Sequence, residues 1–391
     1  MRPTPLPGPP PQGGRERRRA PQASAPAEAP ANLTIDLDAL VANWRALAAR
    51  VAPAECSAVV KAEAYGTGLE PAVRALAKAG CRTFFVAHLA EGRQVRTVVP
   101  DATIYILGGL LPETEATHVH FALRPVLGSG EEIAQWRRLA ATCDPCPAAI
   151  HIDTGMNRLG LSPDEARRLL TSDDGLRGFP VALLMSHFVA SEEPEAPINA
   201  HQIELFEELR ALRPEIPASL ANSSGIFLPQ RPYFDLVRPG YALYGGNPTP
   251  GAPNPMRGIV KLQARILQCR TVEAGETVGY GATWTAPDRR RLATIGTGYA
   301  DGFLRSGSPT DATAGGQAFI AGSHTPFVGR ISMDLIVIDV TGVTPEAKAG
   351  DLVELIGEHL PIDIVGRNAG SIGYEILTSL GRRYHRAYIG G

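Results

Sequence analysis

Apolar residues recur along this chain with two spacings. A helix begins at Asp36 or Asp38 and carries Leu40, Val41, Trp44 and Leu47 on one face, the period of an amphipathic helix. Beyond it, short apolar runs rich in β-branched residues alternate with helical patterns. The runs are Cys56–Lys61, Thr83–Val86, Thr103–Leu107, Leu123–Val126, Ala148–Ile152, Val181–Met185, Ala218–Ala221 and Phe234–Val237. The helical segments include Leu69–Ala79, Glu131–Ala141, Pro163–Leu170 and Ile198–Leu212. Eight runs in this alternation predict an α/β fold, an N-terminal (β/α)8 TIM-like barrel over residues 32–257. An open doubly wound sheet is the alternative. No GxGxxG follows the first strand, which weakens the dinucleotide-binding version of that alternative.

From about Gly258 the pattern changes. Short strands follow one another through Gly-rich turns: Ile259–Gln268, Thr277–Tyr280, Arg291–Gly296, Ala318–Ile320, Leu335–Val340 and Leu352–Leu355. Helical patterns return only at Ile362–Ala369 and Tyr374–Leu380. Residues 258–391 therefore form a mainly β C-terminal domain, against which the first helix and strand of the chain pack. Residues 1–31, rich in Pro, Arg and Ala, read as a disordered tail.

Composition narrows the function. A net charge of −2 gives no electrostatic footprint for nucleic acid or a membrane surface, so a small-molecule partner is expected. No apolar run reaches the roughly 18 residues of a membrane helix, and the tail lacks the apolar core of a secretory signal. A cytoplasmic protein is the expectation. Five cysteines make no disulfide framework; Cys143-Asp-Pro-Cys146 is read as a loop before a strand in preference to a redox pair. No ligand set for a metal is visible.

Barrel enzymes carry their chemistry at the C-terminal ends of the strands. The first strand ends in Lys61-Ala-Glu-Ala-Tyr65-Gly66. A lysine there is either a solvated cap or a desolvated amine of lowered pKa, suited to a Schiff base. The fifth ends in His151-Ile-Asp-Thr-Gly-Met-Asn-Arg158, where Arg158 is either a surface residue or a carboxylate clamp. The sixth ends in His187, more often a structural histidine. The seventh and eighth end in Asn222-Ser223-Ser224-Gly225 and Arg238-Pro-Gly240-Tyr241. These are helix caps, or a phosphate site of the kind barrels build after strands seven and eight. The β domain adds Tyr280, Tyr299 and Met333, each within a Gly-flanked motif.

Taken in order, these segments resemble the alanine racemases, barrel-fold enzymes that use pyridoxal phosphate (PLP). The resemblance rests on Lys61–Gly66, Asp153–Gly160, Arg238–Gly245, Gly279–Thr283, Gly298–Gly302 and Gly329–Asp334, and runs from about Asn32 to Arg386. It implies racemisation of L-alanine to D-alanine by two bases, supplying D-alanine for peptidoglycan. Lys61 would hold PLP and act on the D-alanine side; Tyr280, from the other subunit of a homodimer with shared active sites, would act on the L-alanine side. Tyr65, Ser223, Gly240, Tyr241 and Tyr374 would hold the phosphate, with Asn222 nearby. Arg238 would meet the ring nitrogen and His187 would bond Arg238. Arg158 and the Met333 N–H would receive the substrate carboxylate, and Tyr299 would line the entrance.

The chain departs from the family pattern at His151, where many members have a carbamylated lysine. A neutral imidazole brings no negative charge to Arg158, so a bound anion or another carboxylate would have to serve. Glu63 and Thr67 also replace the family's usual Asn and His. Three alternatives accompany the resemblance: a racemase of another amino acid (serine, lysine or several), a barrel-type PLP decarboxylase, and a non-catalytic PLP carrier. A decarboxylase would favour a carboxylate where Arg238 stands and a cysteine in the second domain; none follows Cys269.

Overall fold

A computed structural model describes residues 28–142, 146–172 and 174–391. Most of the expected tail lies outside them. At its end, however, Ala29 and Ala31 are buried, so the folded chain begins before Asn32. Cys143 also lies outside the described residues. Cys146 is disulfide-bonded, which corrects the reading of this stretch as a plain loop.

The eight predicted runs form the parallel strands of a closed barrel. They are Glu55–Cys56 continuing as Ala58–Val59, then Thr83–Val86, Thr103–Ile106, Arg124–Leu127, Ala148–His151, Val181–Met185, Ala218–Ser219 and Leu236–Val237. Each pairs with the next through the seventh. The eighth closes the ring by pairing with the first, Leu236 beside Glu55 and Val237 beside Cys56. Asp235 N–H to Ala218 O (3.0 Å) and Arg238 N–H to Ala221 O (2.9 Å) seal the remaining seam. The strands read as unbroken apolar runs because both faces are covered. Helices Leu69–Ala79, Gly130–Ala140, Pro163–Thr171 and Pro197–Arg210 follow the predicted periods within a residue or two. Leu89–Val98 and Glu115–His120 are additional. After the seventh and eighth strands only the short turns Gly225–Phe227 and Tyr241–Tyr244 appear.

The first helix, Leu37–Val51, starts where Asp36 accepts a hydrogen bond from Ala39 N–H (2.8 Å). This is a side-chain cap for an otherwise orphan donor. Its stripe of Leu37, Leu40, Trp44, Leu47 and Val51 is buried.

The C-terminal domain is built on one long strand, Val260–Val272, which pairs with Arg290–Ile295, Leu352–Ile356 and Ala31–Asp36. The last of these also pairs, in parallel, with the final strand His385–Ile389. Ala31–Asp36 is thus an inner strand of the C-terminal sheet. Its alternation of buried Ala31, Leu33 and Ile35 is the period-two signal of a half-covered strand, too short to stand out before a helix. The strand expected at Thr277–Tyr280 is absent. A single bridge joins Thr277 to Thr285, and Gly279 and Gly281 at φ 76° and 75° turn the chain out of extension.

Asn43 ties the barrel to the linker before the sheet. Its amide donates to Leu243 O (3.1 Å) and Arg257 O (2.9 Å), and its oxygen accepts from Arg257 N–H (2.8 Å). Asn43→Ala strands several buried backbone groups at once. It should cost about 3 kcal/mol in urea unfolding; a loss within error of zero would show that the linker is anchored elsewhere.

Candidate active site

Lys61 ends the first barrel strand and begins an unusual turn. Ala62, Glu63, Ala64 and Tyr65 all have φ between 52° and 55°, followed by Gly66 at 76°. This is a left-handed helical turn of four L-residues, each costing about 1–2 kcal/mol. It is tied on several sides. Glu91 accepts from Ala62 N–H (2.6 Å), Ala64 O accepts from the Thr67 hydroxyl (2.6 Å), and Gly68 N–H donates to Glu63 O (2.8 Å). From the C-terminal domain, Arg386 donates to Gly66 O (2.8 Å) and Tyr388 to Thr67 O (3.0 Å). A Cβ on Gly66 would lie 2.0 Å from Leu377 O, so only glycine fits there.

The turn opens onto a cavity of about 200 Å³ at the barrel mouth, lined by Lys61, Tyr65, His187, Asn222, Ser223, Arg238, Gly240, Tyr241 and Tyr374. All nine residues predicted for cofactor binding are therefore brought together. Val59, Ala62, Leu107 and Thr378 complete the wall. Leu107 follows the third strand, so the strand-end rule could have found it. A larger cavity of about 490 Å³, beside Asp36, Met256, Lys261 and Glu358, lacks this convergence of amine, guanidinium and hydroxyls.

Burial sets the electrostatics. It lowers the pKa of Lys61, helped by the Arg158 cation, against a smaller opposite pull from Glu91. Arg238 is wholly buried, and its shift has burial as its only cause, with no carboxylate contributing. It is pulled down to about 9 and remains charged at neutral pH. Its guanidinium donates to the Ser219 hydroxyl and Ser186 O, and lies 3.5 Å from His187 Nδ1. His187 is pushed down to about 3 by burial and then by the Arg238, Arg158 and Lys61 cations. His151 falls to about 4 by burial and then Arg238, against the pull of Asp153.

The cavity wall is also rich in donors. Ser223 Oγ accepts from Gly240 N–H (3.0 Å) and Ala242 N–H (3.2 Å), which leaves its own proton to donate. Asn222 Oδ1 accepts from Gly225 N–H (2.8 Å) and Ser191 (2.8 Å), so it caps a turn while lining the site. Burial raises the phenols of Tyr65 and Tyr374, the latter to about 12, keeping both protonated. A Cβ on Gly240 would sit 2.2 Å from the Tyr65 hydroxyl; the glycine keeps the cavity open here. Tyr241 differs from expectation: its ring lines the cavity, but its hydroxyl donates to Asp363 (2.7 Å). Asp363 was not predicted, and no local motif marks it. This cavity fits PLP: its wall brings together an amine, a cation that no acid among the described residues partners, and several hydroxyls.

Tyr280, Tyr299 and Met333 do not line the cavity. Their three loops are laced together in the C-terminal domain. Tyr299 N–H donates to Ser332 O (3.0 Å) and Ala300 N–H to Met333 O (2.9 Å), while Arg383 bridges Asp301 and Asp334 (both 2.8 Å). A Cβ on Gly329 would lie 2.4 Å from Val278 O. Tyr280, Met333 and Tyr299 are left 69%, 53% and 40% exposed, large apolar side chains turned to the surface on linked loops. Arg158 is exposed on its loop. Asp153, the acid nearest in sequence, spends its carboxylate on the N–H groups of Gly155, Met156 and Asn157. It holds the loop, and among the described residues no hydrogen bond or ion pair claims the Arg158 guanidinium.

Residues 35–248 match the family model described as alanine racemase, N-terminal domain, and residues 259–388 the one described as alanine racemase, C-terminal domain. An alanine racemase of Methylobacterium nodulans is 55% identical over 363 residues, 92% of this chain and 96% of that protein. Two crystal structures are similar throughout. Alanine racemase from Bartonella henselae with covalently bound pyridoxal phosphate is 42% identical with a TM-score of 0.88, covering 92% of this chain and 100% of that one. Biosynthetic alanine racemase from Pseudomonas aeruginosa is 36% identical with a TM-score of 0.85, covering 93% and 100%.

Folded-state pKa values of about 4 and 3 for His151 and His187 lie below the unfolded value of about 6.5. The unfolded chain takes up these protons first, so stability should fall as pH drops from about 6.5 toward 4. Imidazole ¹⁵N shifts should report both rings neutral at pH 5.5. A midpoint near the ordinary value for either would contradict the burial argument.

Proposed function

The chain belongs to the alanine racemase family, and from that we propose that it interconverts L- and D-alanine using pyridoxal phosphate held by Lys61. The observation that carries the reading is the single cavity joining Lys61, the acid-free Arg238 and the donor-rich wall around Ser223 and Tyr374. PLP supplies the electron sink that makes the α-proton of an amino acid removable. The residues do the rest. Lys61 Nζ, whose neutral, proton-accepting form is favoured by burial and by Arg158, holds or returns the proton on the D-alanine side. Tyr280 Oη of the partner subunit does so on the L-alanine side, which fits its exposure in one chain. Two bases on opposite faces allow removal from one and return to the other.

In this reading Ser223, Gly240, Tyr65 and Tyr374 hold the phosphate with Asn222, and Tyr241 contributes its ring and backbone. Arg238 keeps its proton because guanidinium surrenders it poorly. With PLP bound, Arg238 would meet the ring nitrogen without giving it a proton, and His187 flanks Arg238 as a neutral neighbour. That no acid among the described residues stands beside Arg238 opposes a decarboxylase. Arg158 and the Met333 N–H of the partner subunit receive the substrate carboxylate, with Tyr299 of the partner subunit at the entrance. The unclaimed guanidinium of Arg158 supports that role. A part in supplying D-alanine for peptidoglycan is the role this reading carries; relatives include both a biosynthetic and a catabolic alanine racemase, so the role rests on the activity itself.

The test is D-alanine formation from L-alanine, with serine and lysine assayed alongside. Lys61→Ala should lose both activity and the visible absorption of the lysine-bound cofactor. Tyr280→Phe should lose activity and keep the absorption. Mixing the two inactive variants should restore at most about a quarter of wild-type activity, since half of randomly paired dimers are mixed and each has one intact site of two. No recovery despite demonstrated subunit exchange would assign Lys61 and Tyr280 to one site within a single chain.

A further inference from the structure

Tyr241 is held in a way that its place in the cavity does not require. Its ring stacks on Tyr374 with centroids 3.8 Å apart and planes 10° from parallel. Its hydroxyl leaves the cavity and donates to Asp363 Oδ1 at 2.7 Å. The other oxygen of Asp363 accepts from Asn247 N–H at 3.1 Å, just beyond the turn Tyr241–Tyr244. One carboxylate of the C-terminal domain thus grips a barrel loop at two points. Asp363 itself does not line the cavity.

The fit around the Tyr241 hydroxyl is close. A Cβ on Gly373 would lie 1.8 Å from it, so the glycine preceding Tyr374 lets the phenol pass against the helix Gly373–Thr378. A buried hydroxyl with no acceptor is costly, so Asp363 fixes where the ring of Tyr241 sits. The stacked ring then limits how Tyr374 can tilt, while Tyr65 stands on its other flank at 6.2 Å.

We propose that Asp363 is a positioning residue for the phosphate end of the cofactor site. It orients Tyr241, and through the stack Tyr241 aims the Tyr374 hydroxyl at the phosphate. This rests on the reading that the cavity binds PLP with its phosphate toward Tyr374. Asp363 acts at second hand and never touches the cofactor.

The phosphate dependence makes this testable apart from activity. Full-length protein freed of cofactor is titrated with PLP and with pyridoxal, which has the same aldehyde and ring but no phosphate. Asp363→Asn and Tyr241→Phe should each weaken PLP about tenfold, the scale of one misplaced charge-assisted hydrogen bond, and leave pyridoxal unchanged. The double variant should be no weaker than either single one, because both remove the same link. Tyr241→Phe keeps the ring and removes only the hydroxyl, so it decides the matter if Asp363→Asn folds poorly. Equal weakening of PLP and pyridoxal, or unchanged PLP affinity in both variants, overturns the proposal. Equal affinity of the wild-type protein for the two aldehydes would instead refute the placement of the phosphate, and the proposal with it.

Discussion

Four L-residues in succession do not stay left-handed unaided, and the position of Lys61 depends on their doing so. At about 1–2 kcal/mol each, the turn from Ala62 to Tyr65 would relax if released. It is held by Glu91 from the barrel and by Arg386 and Tyr388 from the last strand of the C-terminal sheet. Arg386 also binds Leu380 O and Gly381 O, so the strap reaches the end of the helix that carries Tyr374. The lysine and the tyrosine of one cavity are thus fixed by one C-terminal strand. The site exists only where the two domains meet.

Within that site a single cause, exclusion of water, acts with opposite signs. It lowers Lys61, His151 and His187 and raises Tyr65 and Tyr374. Each shift favours the uncharged form. The amine becomes able to accept a proton, the imidazoles add no further positive charge, and the phenols stay donors. Arg238 resists because guanidinium starts so high. The result is a fixed guanidinium cation among groups that burial shifts toward their neutral forms.

The barrel was legible because its strands are short, apolar and evenly spaced; Val181–Met185 and Leu69–Ala79 match their predicted limits. The cavity was legible because a barrel gathers its strand ends, so Lys61, His187, Asn222 and Arg238 could be placed without coordinates. Their assembly with Tyr374 needed the family resemblance. What escaped was non-local. Ala31–Asp36 is a strand only because distant segments flank it, and Asp363 matters only because Tyr241, 122 residues earlier, turns its hydroxyl that way. Thr277–Tyr280 looked extended because apolar spacing is blind to the φ of Gly279.

The inner placement of Ala31–Asp36 has a consequence for how the molecule is made. Its partners are Val260–Val272 on one side and His385–Ile389 on the other. Both leave the ribosome long after it does. At about 5–20 residues per second, the strand waits roughly 20 to 70 s for its final neighbour. Throughout that interval an apolar edge stands open, and the nascent barrel lacks the strand that straps its lysine-bearing turn. Closure of the cavity therefore waits until Arg386 and Tyr388 have been made, and a nascent chain halted before them leaves its lysine-bearing turn unstrapped.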